Sequence, residues 1–359
     1  GADAIYFGLK NFNARNRALN FSPWQAAAMV QEVRKRNVKS YLTLNTVIRN
    51  FDLPELIHTL YQIKQIQPHA LIVQDWGILL LIQKYFPELS VHASTQMGIH
   101  NSAGTEHAGR SGIRRVVLAR ELTLPEVKAI TTKSPIETEL FVHGALCYSF
   151  SGMCLFSSYL GGAGANRGLC TQPCRRIYTQ KTDTEKKSAY FFSLKDHQLV
   201  DQLDELKKLR IASLKVEGRM KPGEYVFRVA RAYRMALDHP EKREEARAIL
   251  SDDLGREKTG YFLGRDVSEA ITHAATSGIL LGKVVDAAGD TITFRCNRTL
   301  EPGCRLRFRN PQNDKLVEIK AENIVQNEEG CSVTGDPKEI KQTYEVYLAG
   351  NKLRLPQRI

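Results

Sequence analysis

Between Ala4 and Leu237, short β-rich runs alternate with stretches of helical periodicity, and this alternation limits the fold more than any other feature of the chain. Strands are predicted at Ala4 to Phe7, Ser40 to Leu44, Ala70 to Gln74, Ser90 to Ala93, Arg115 to Leu118 and Glu139 to Val142. Helices are predicted between them at Trp24 to Arg36, Leu53 to Gln65, Gly77 to Tyr85, Ser102 to Arg110 and Leu124 to Thr131. After a cysteine-bearing interruption the alternation resumes, with a strand at Tyr190 to Ser193, a helix at Leu199 to Leu209, a strand at Ser213 to Val216 and a helix at Glu224 to Leu237. A helix between two strands brings them back parallel, and about eight such units close into a barrel. The expected fold class is therefore α/β, with a TIM-barrel-like (β/α) domain over residues 1–240.

The texture changes near Ser277. Leu280 to Val285, Thr291 to Cys296, Arg305 to Phe308, Val317 to Ala321, Cys331 to Thr334 and Tyr344 to Leu348 are short alternating runs split by Gly, Pro, Asn and Asp. These predict a small all-β, barrel-like domain over 277–359. Residues 241–276, charged and then rich in small side chains, are expected to be the connection.

In a barrel of this kind, chemistry gathers at the carboxyl ends of the strands, where the loops converge. Polar side chains stand at these positions repeatedly: Asn45; Asp75; His92 with Ser94 and Gln96; Arg120 with Glu121; His143; Lys195 with Asp196; and Lys215, Glu217 and Arg219. His92, Gln96, His143, Lys195, Lys215 and Glu217 are the candidate catalytic residues. Arg120 and Arg219 suit a carboxylate-bearing ligand, because a guanidinium pairs with a carboxylate through two parallel hydrogen bonds.

Four cysteines lie in the interruption, Cys147 and Cys154 with six residues between them, then Cys170 and Cys174 with three. Seven cysteines in 359 residues are too few for a disulfide scaffold. Thiols this dense point to metal ligation, with residues 144–180 as an insert over the barrel mouth. Zinc knuckles favour pairs two to four residues apart, whereas an iron–sulfur cubane accepts wider, irregular spacing. The first gap suits the cubane better and leaves zinc open. Cys296, Cys304 and Cys331 are scattered through the β-rich segment and are read as packing residues.

The net charge of +12 and a pI near 9.3 make polyanions plausible partners. Arg167, Arg175 and Arg176 sit beside the cysteines, where they could meet an anionic substrate. Tyr148, Phe150, Phe156 and Tyr159 could stack on a nucleobase. No stretch is long and apolar enough to span a membrane, and a cytoplasmic location is expected. Two hydrolase signatures, His-Glu-x-x-His and Gly-x-Ser-x-Gly, do not occur in the sequence.

The run ELFVHGALCYSFSGMCLFSS at Glu139 to Ser158 resembles the signature of the collagenase-like peptidase family U32. NRGLCTQPCRR at Asn166 to Arg176, SLKD at Ser193 to Asp196 and SLKVEGRMK at Ser213 to Lys221 resemble the family as well, and so do the upstream GADAIYFG, LIVQDWGIL, HASTQ and VVLARE. The resemblance is greatest to the branch that hydroxylates RNA without molecular oxygen. It implies a 4Fe-4S cluster on Cys147, Cys154, Cys170 and Cys174, prephenate as cosubstrate, and C5 hydroxylation of a pyrimidine in ribosomal or transfer RNA. A collagenase-like peptidase and a non-catalytic RNA-binding or assembly factor are the competing expectations. Family members carry a strand before the position of Gly1, so the barrel is expected to lack its first strand, as an N-terminally truncated polypeptide would.

Overall fold

The computed structural model describes residues 1–350 apart from 184, 265–269, 273–277, 297, 313–314, 328–329 and 336–339. In chain order the first part forms β1 (Ala4–Gly8), α1 (Pro23–Lys35), β2 (Lys39–Leu44), α2 (Leu53–Ile66), β3 (Ala70–Val73) and α3 (Trp76–Tyr85). It continues with β4 (Val91–Ala93), α4 (Ser102–Arg110), β5 (Arg115–Val117), α5 (Leu124–Lys133) and β6 (Glu137–Ala145). Local chemistry explains the helix starts. The Ser22 side chain accepts from the Gln25 amide while Gln25 returns the bond, the Thr123 and Glu126 pair forms a second such box, and the Asp75 carboxylate caps α3.

The insert holds α6 (Phe156–Gly161) and runs into the antiparallel hairpin β7 (Tyr178–Lys181) and β8 (Lys186–Ala189), after which come β9 (Asp196–Gln198), α7 (Leu203–Lys207) and β10 (Ser213–Val216). Then follow α8 (Gly223–Asp238), α9 (Arg243–Ser251) and β11 (Lys258–Thr259). Strands β1 to β6 pair in sequence and parallel, and β10 adds parallel to β6. The fold is mixed α/β.

Strand alternation sorts side chains between two sides of this sheet. Leu42, Leu44, Leu71, Val73, Leu140 and Val142 face the helices in the main apolar core. Tyr41, Ala70 and Ile72 pack with Ala4 and Tyr6 on the other side. That side also buries charge: Glu139 lies 2.7 Å from Lys215 Nζ and 3.1 Å from Arg115 Nη1.

The hydrogen-bond ladder does not join β10 to β1 among the described residues, so the TIM-barrel-like domain, expected to lack its first strand, is not closed by a continuous ladder. Side chains bridge the two ends instead. Tyr6 donates to the Val216 carbonyl at 3.3 Å, the Lys215 ammonium lies 4.4 Å over the Tyr6 ring, and Arg234 of α8 binds the Gly1 carbonyl.

Three local expectations change. The Tyr190 to Ser193 stretch is not a strand, because Phe192 is drawn into an aromatic cluster with Tyr148, Phe156 and Tyr178 at centroid distances of 5.1 to 5.6 Å. The helix expected from Leu199 begins at Leu203, and the Leu199 amide instead binds the Val142 carbonyl beside β6. Residues 241–276 are more than a connection: α9 packs on α8, and β11 joins the sheet beside β9.

The second part is a seven-stranded antiparallel sheet of β12 (Ile279–Ala288), β13 (Thr291–Phe294), β14 (Cys304–Arg309), β15 (Leu316–Ala321), β16 (Ile324–Asn327), β17 (Gly330–Thr334) and β18 (Glu345–Gly350). The ladder runs β15-β14-β18-β12-β13-β17-β16, and β16 had no signal in the sequence. One core fills it, with Ile292, Phe294, Leu306, Phe308, Cys304, Cys331 and Val346 buried. The expected start of this domain at Ser277 and its end beyond residue 350 lie outside the described residues.

Candidate cofactor and substrate site

A cavity of about 140 Å3 opens at the carboxyl ends of the parallel strands. Asn45 follows β2, Ser94 and Gln96 follow β4, Arg120 and Glu121 follow β5, and Lys215, Glu217 and Arg219 end or follow β10; all of them line it. The insert forms the opposite wall with Cys147, Phe150, Cys154 and Cys170. The strand-end reading and the cysteine reading therefore meet in one place.

Arginines organise the floor. Glu217 Oε2 accepts from Arg15 at 3.3 Å and from Arg120 at 3.4 Å, and Glu217 Oε1 accepts from the Arg219 amide at 3.2 Å. Burial opposes the Glu217 charge, but Arg15 and Arg120 outweigh it and hold the carboxyl down at about 2. Arg120 also lies 3.9 Å over the Phe141 ring and binds the Ala145 carbonyl at 2.6 Å. Arg219 reaches Thr43, Asn13 and Asn20. Arg15 and Tyr6 were missed in the sequence, since Arg15 sits in a loop with no motif around it and Tyr6 reads as an ordinary strand residue.

The insert is bolted to the strand ends. Arg167 binds the Val47 carbonyl at 3.1 Å and Asp52 at 2.9 Å, and Arg175 binds the Leu146 carbonyl at 2.8 Å, Ser193 Oγ at 3.0 Å and the Leu194 carbonyl. These two arginines, expected to meet substrate, instead hold the loop that carries the thiols. Arg176 stays exposed. Gly152, at φ 80°, lies so close to the Gln96 carbonyl that a Cβ would fall 1.9 Å from it. No larger residue fits there.

Cys147, Cys154 and Cys170 line the cavity together, and Cys174 lies near enough for the other three thiols to act on it electrostatically. Burial pushes the Cys174 thiol up to about 11, against the pull of Arg175. Among the described residues, no three Cys, His, Asp or Glu side chains are grouped as ligands of a metal ion. The donor set is nevertheless of the right chemistry: four sulfurs from one insert, three on a shared cavity wall, with cationic side chains near to offset thiolate charge.

Three sequence candidates stand elsewhere. Parity along β6 would put His143 on the same side as Glu139 and Phe141. A bulge, where Val216 pairs with His143 directly after Lys215 pairs with Phe141, turns it toward α8 instead. There His143 is packed against Tyr225 and Tyr233 and bonds Asp253 at 2.6 Å. Lys195 faces Glu257 at 3.6 Å. His92 lines a separate cavity at the amino ends of the strands.

The model of peptidase family U32 matches residues 1–272. This chain belongs to peptidase family U32. A relative, the 23S ribosomal RNA 5-hydroxycytidine C2501 synthase of Escherichia coli, is 33% identical over 84% of this chain and 48% of its own length. A transfer RNA hydroxylation protein P of Helicobacter pylori is 34% identical over 98% of this chain and 87% of the relative. A collagenase of Porphyromonas gingivalis is 32% identical over 80% and 75%. The chain thus spans about half the length of the ribosomal RNA synthase and 60% of an uncharacterized protease of Methanocaldococcus jannaschii. A solved U32 peptidase structure aligns over 39% of the chain and 61% of its own at 16% identity, with a TM-score of 0.34. No described helix is long and apolar enough to cross a membrane.

Proposed function

We propose that this chain is an RNA-modifying hydroxylase that installs a 5-hydroxyl on a pyrimidine of ribosomal or transfer RNA. In this reading Cys147, Cys154, Cys170 and Cys174 hold a 4Fe-4S cluster, and prephenate is the cosubstrate. The observation that carries it is the convergence of three thiols with Arg15, Arg120 and Arg219 on one cavity at the strand ends. The relatives named for RNA hydroxylation support the reaction class.

When bound, the cluster would supply the electron-transfer chemistry that side chains lack. The chain's own residues bind and orient. Three arginines, Arg15, Arg120 and Arg219, line the cavity against two carboxylates, Glu121 and Glu217, beside Lys215 already paired with Glu139, so a carboxylate-bearing cosubstrate is favoured there. Asn45 and Gln96 offer neutral hydrogen-bonding groups, and the buried Gln96 Oε1 has no partner among the described residues. Phe150, at the cavity and 62% exposed, offers a stacking face for a base turned out of its helix, and Tyr148 and Tyr159 extend an exposed aromatic surface along the insert. Phe156 is committed to Tyr178 and Phe192.

A thiol peptidase would need a histidine aimed at a cysteine. His143 instead spends Nε2 on Asp253 and has Tyr233 OH 3.4 Å from Nδ1. Mass spectrometry of ribosomal and transfer RNA nucleosides from a deletion strain tests the proposal: one 5-hydroxypyrimidine should vanish and return with the wild-type gene but not with Cys170→Ala. An unchanged nucleoside profile would overturn it.

A further inference from the structure

The opposite end of the parallel strands carries a second, larger cavity of about 640 Å3, which takes no part in the reaction proposed above. Its wall comes from the first residues of β2 and β5 and from the loops that enter β3, β4, β5 and β6. Two cations on this wall, Lys39 and Arg114, are exposed and form no ion pair among the described residues. Arg115 beside them is already matched, at 2.7 Å to Glu137 and 3.1 Å to Glu139.

Two histidines complete the wall. His69 Nδ1 accepts the Ser40 amide at 3.1 Å, which leaves the ring proton of the neutral form on Nε2, as a donor. His92 is 6% exposed, and its Nδ1 has no hydrogen-bond partner among the described residues. Burial first, then Arg115, holds His92 down at about 4 against the pull of Glu139 and Glu137, and burial with Arg34 and Lys39 lowers His69.

We propose that this cavity is a binding site for a small phosphate-bearing anion, held by Lys39, Arg114 and His69 Nε2, with His92 completing the inner wall. Two unspent cations and the Nε2–H donor of His69 match a compact, multiply charged oxyanion. An apolar ligand would leave the same groups without partners.

Calorimetric titration with inorganic pyrophosphate at fixed ionic strength tests the site on the intact protein. The expected result is saturable binding of one equivalent. Lys39→Gln and Arg114→Gln, both surface substitutions, should each weaken it by about tenfold or more, as loss of a charged hydrogen bond does. Arg15→Gln, in the other cavity, should leave it unchanged, and the imidazole resonances of His69 and His92 should move on binding. Adenosine diphosphate in a parallel arm separates the sources. Tighter binding than pyrophosphate assigns a nucleotide, and equal binding assigns the phosphates alone. Absence of saturable binding overturns the proposal, as does binding that survives Lys39→Gln with Arg114→Gln but is lost in Arg15→Gln.

Discussion

His143 Nε2 lies 2.6 Å from Asp253 Oδ2, buried, with Lys258 Nζ 2.6 Å from the same carboxylate. Burial keeps the imidazole neutral, while Lys258 and the ring N–H keep the Asp253 carboxylate charged despite its own burial. The bond ties β6 to the segment after α9, so residues expected to be a connection help to hold the strand that leads into the cysteine insert.

Asp253→Ala removes the anion between buried His143 and half-buried Lys258. Breaking such a network typically costs about 3–5 kcal/mol. Urea denaturation should report a loss of that order, whereas the visible absorbance per folded molecule should match wild type, because His143 does not face the thiols.

If these thiols hold the cluster proposed above, replacing Cys147, Cys154, Cys170 or Cys174 by Ala should abolish iron retention and brown colour in anaerobically purified protein. Cys304→Ala should keep both and cost roughly 1 kcal/mol, since Cys304 is fully buried in the core of the antiparallel sheet. Iron analysis and absorbance spectroscopy separate the two classes.

Arg120→Lys keeps the charge but loses the planar fork that spans Glu217, the Ala145 carbonyl and the Phe141 ring. Formation of the hydroxylated nucleoside should fall by about tenfold or more, the worth of one charged hydrogen bond in the transition state. The drop should come with a raised KM for the anionic cosubstrate, read from nucleoside yield against cosubstrate concentration.

His92 should make the fold acid-sensitive. Its pKa is lowered from 6.5 to about 4 by burial and then by Arg115, so the unfolded chain binds a proton first as pH falls. The stability contribution is complete above 6.5 and is lost progressively down to about 4, by up to about 3 kcal/mol. Denaturation midpoints measured from pH 7 to pH 4 should fall less steeply in His92→Gln.

Much of the first sheet was legible from the sequence because its strands are short runs buried on both sides, and because Ser22, Asp75 and Thr123 mark helix starts by local hydrogen bonds. Gln96, Arg120, Lys215, Glu217 and Arg219 could be placed at one rim for the same reason, since strand ends share a face. His143 could not, because a one-residue bulge reverses the side a strand residue faces without changing the local pattern. His92 could not be assigned to the amino-end cavity either, because a strand as short as β4 brings its residues within reach of both ends of the sheet.

By itself the sequence determined the alternation of strands and helices from β1 to β6, the all-β texture of the second part, the four-thiol insert and its membership of a family, since each rests on local periodicity or spacing. Only the tertiary structure decided which charges meet. Arg15 joins Arg120 at Glu217, Arg167 and Arg175 turn from substrate candidates into anchors of the insert, and Lys39 and Arg114 form no ion pair among the described residues around a second cavity. Charge pairing depends on distances between segments far apart in the chain, and no local pattern encodes those distances.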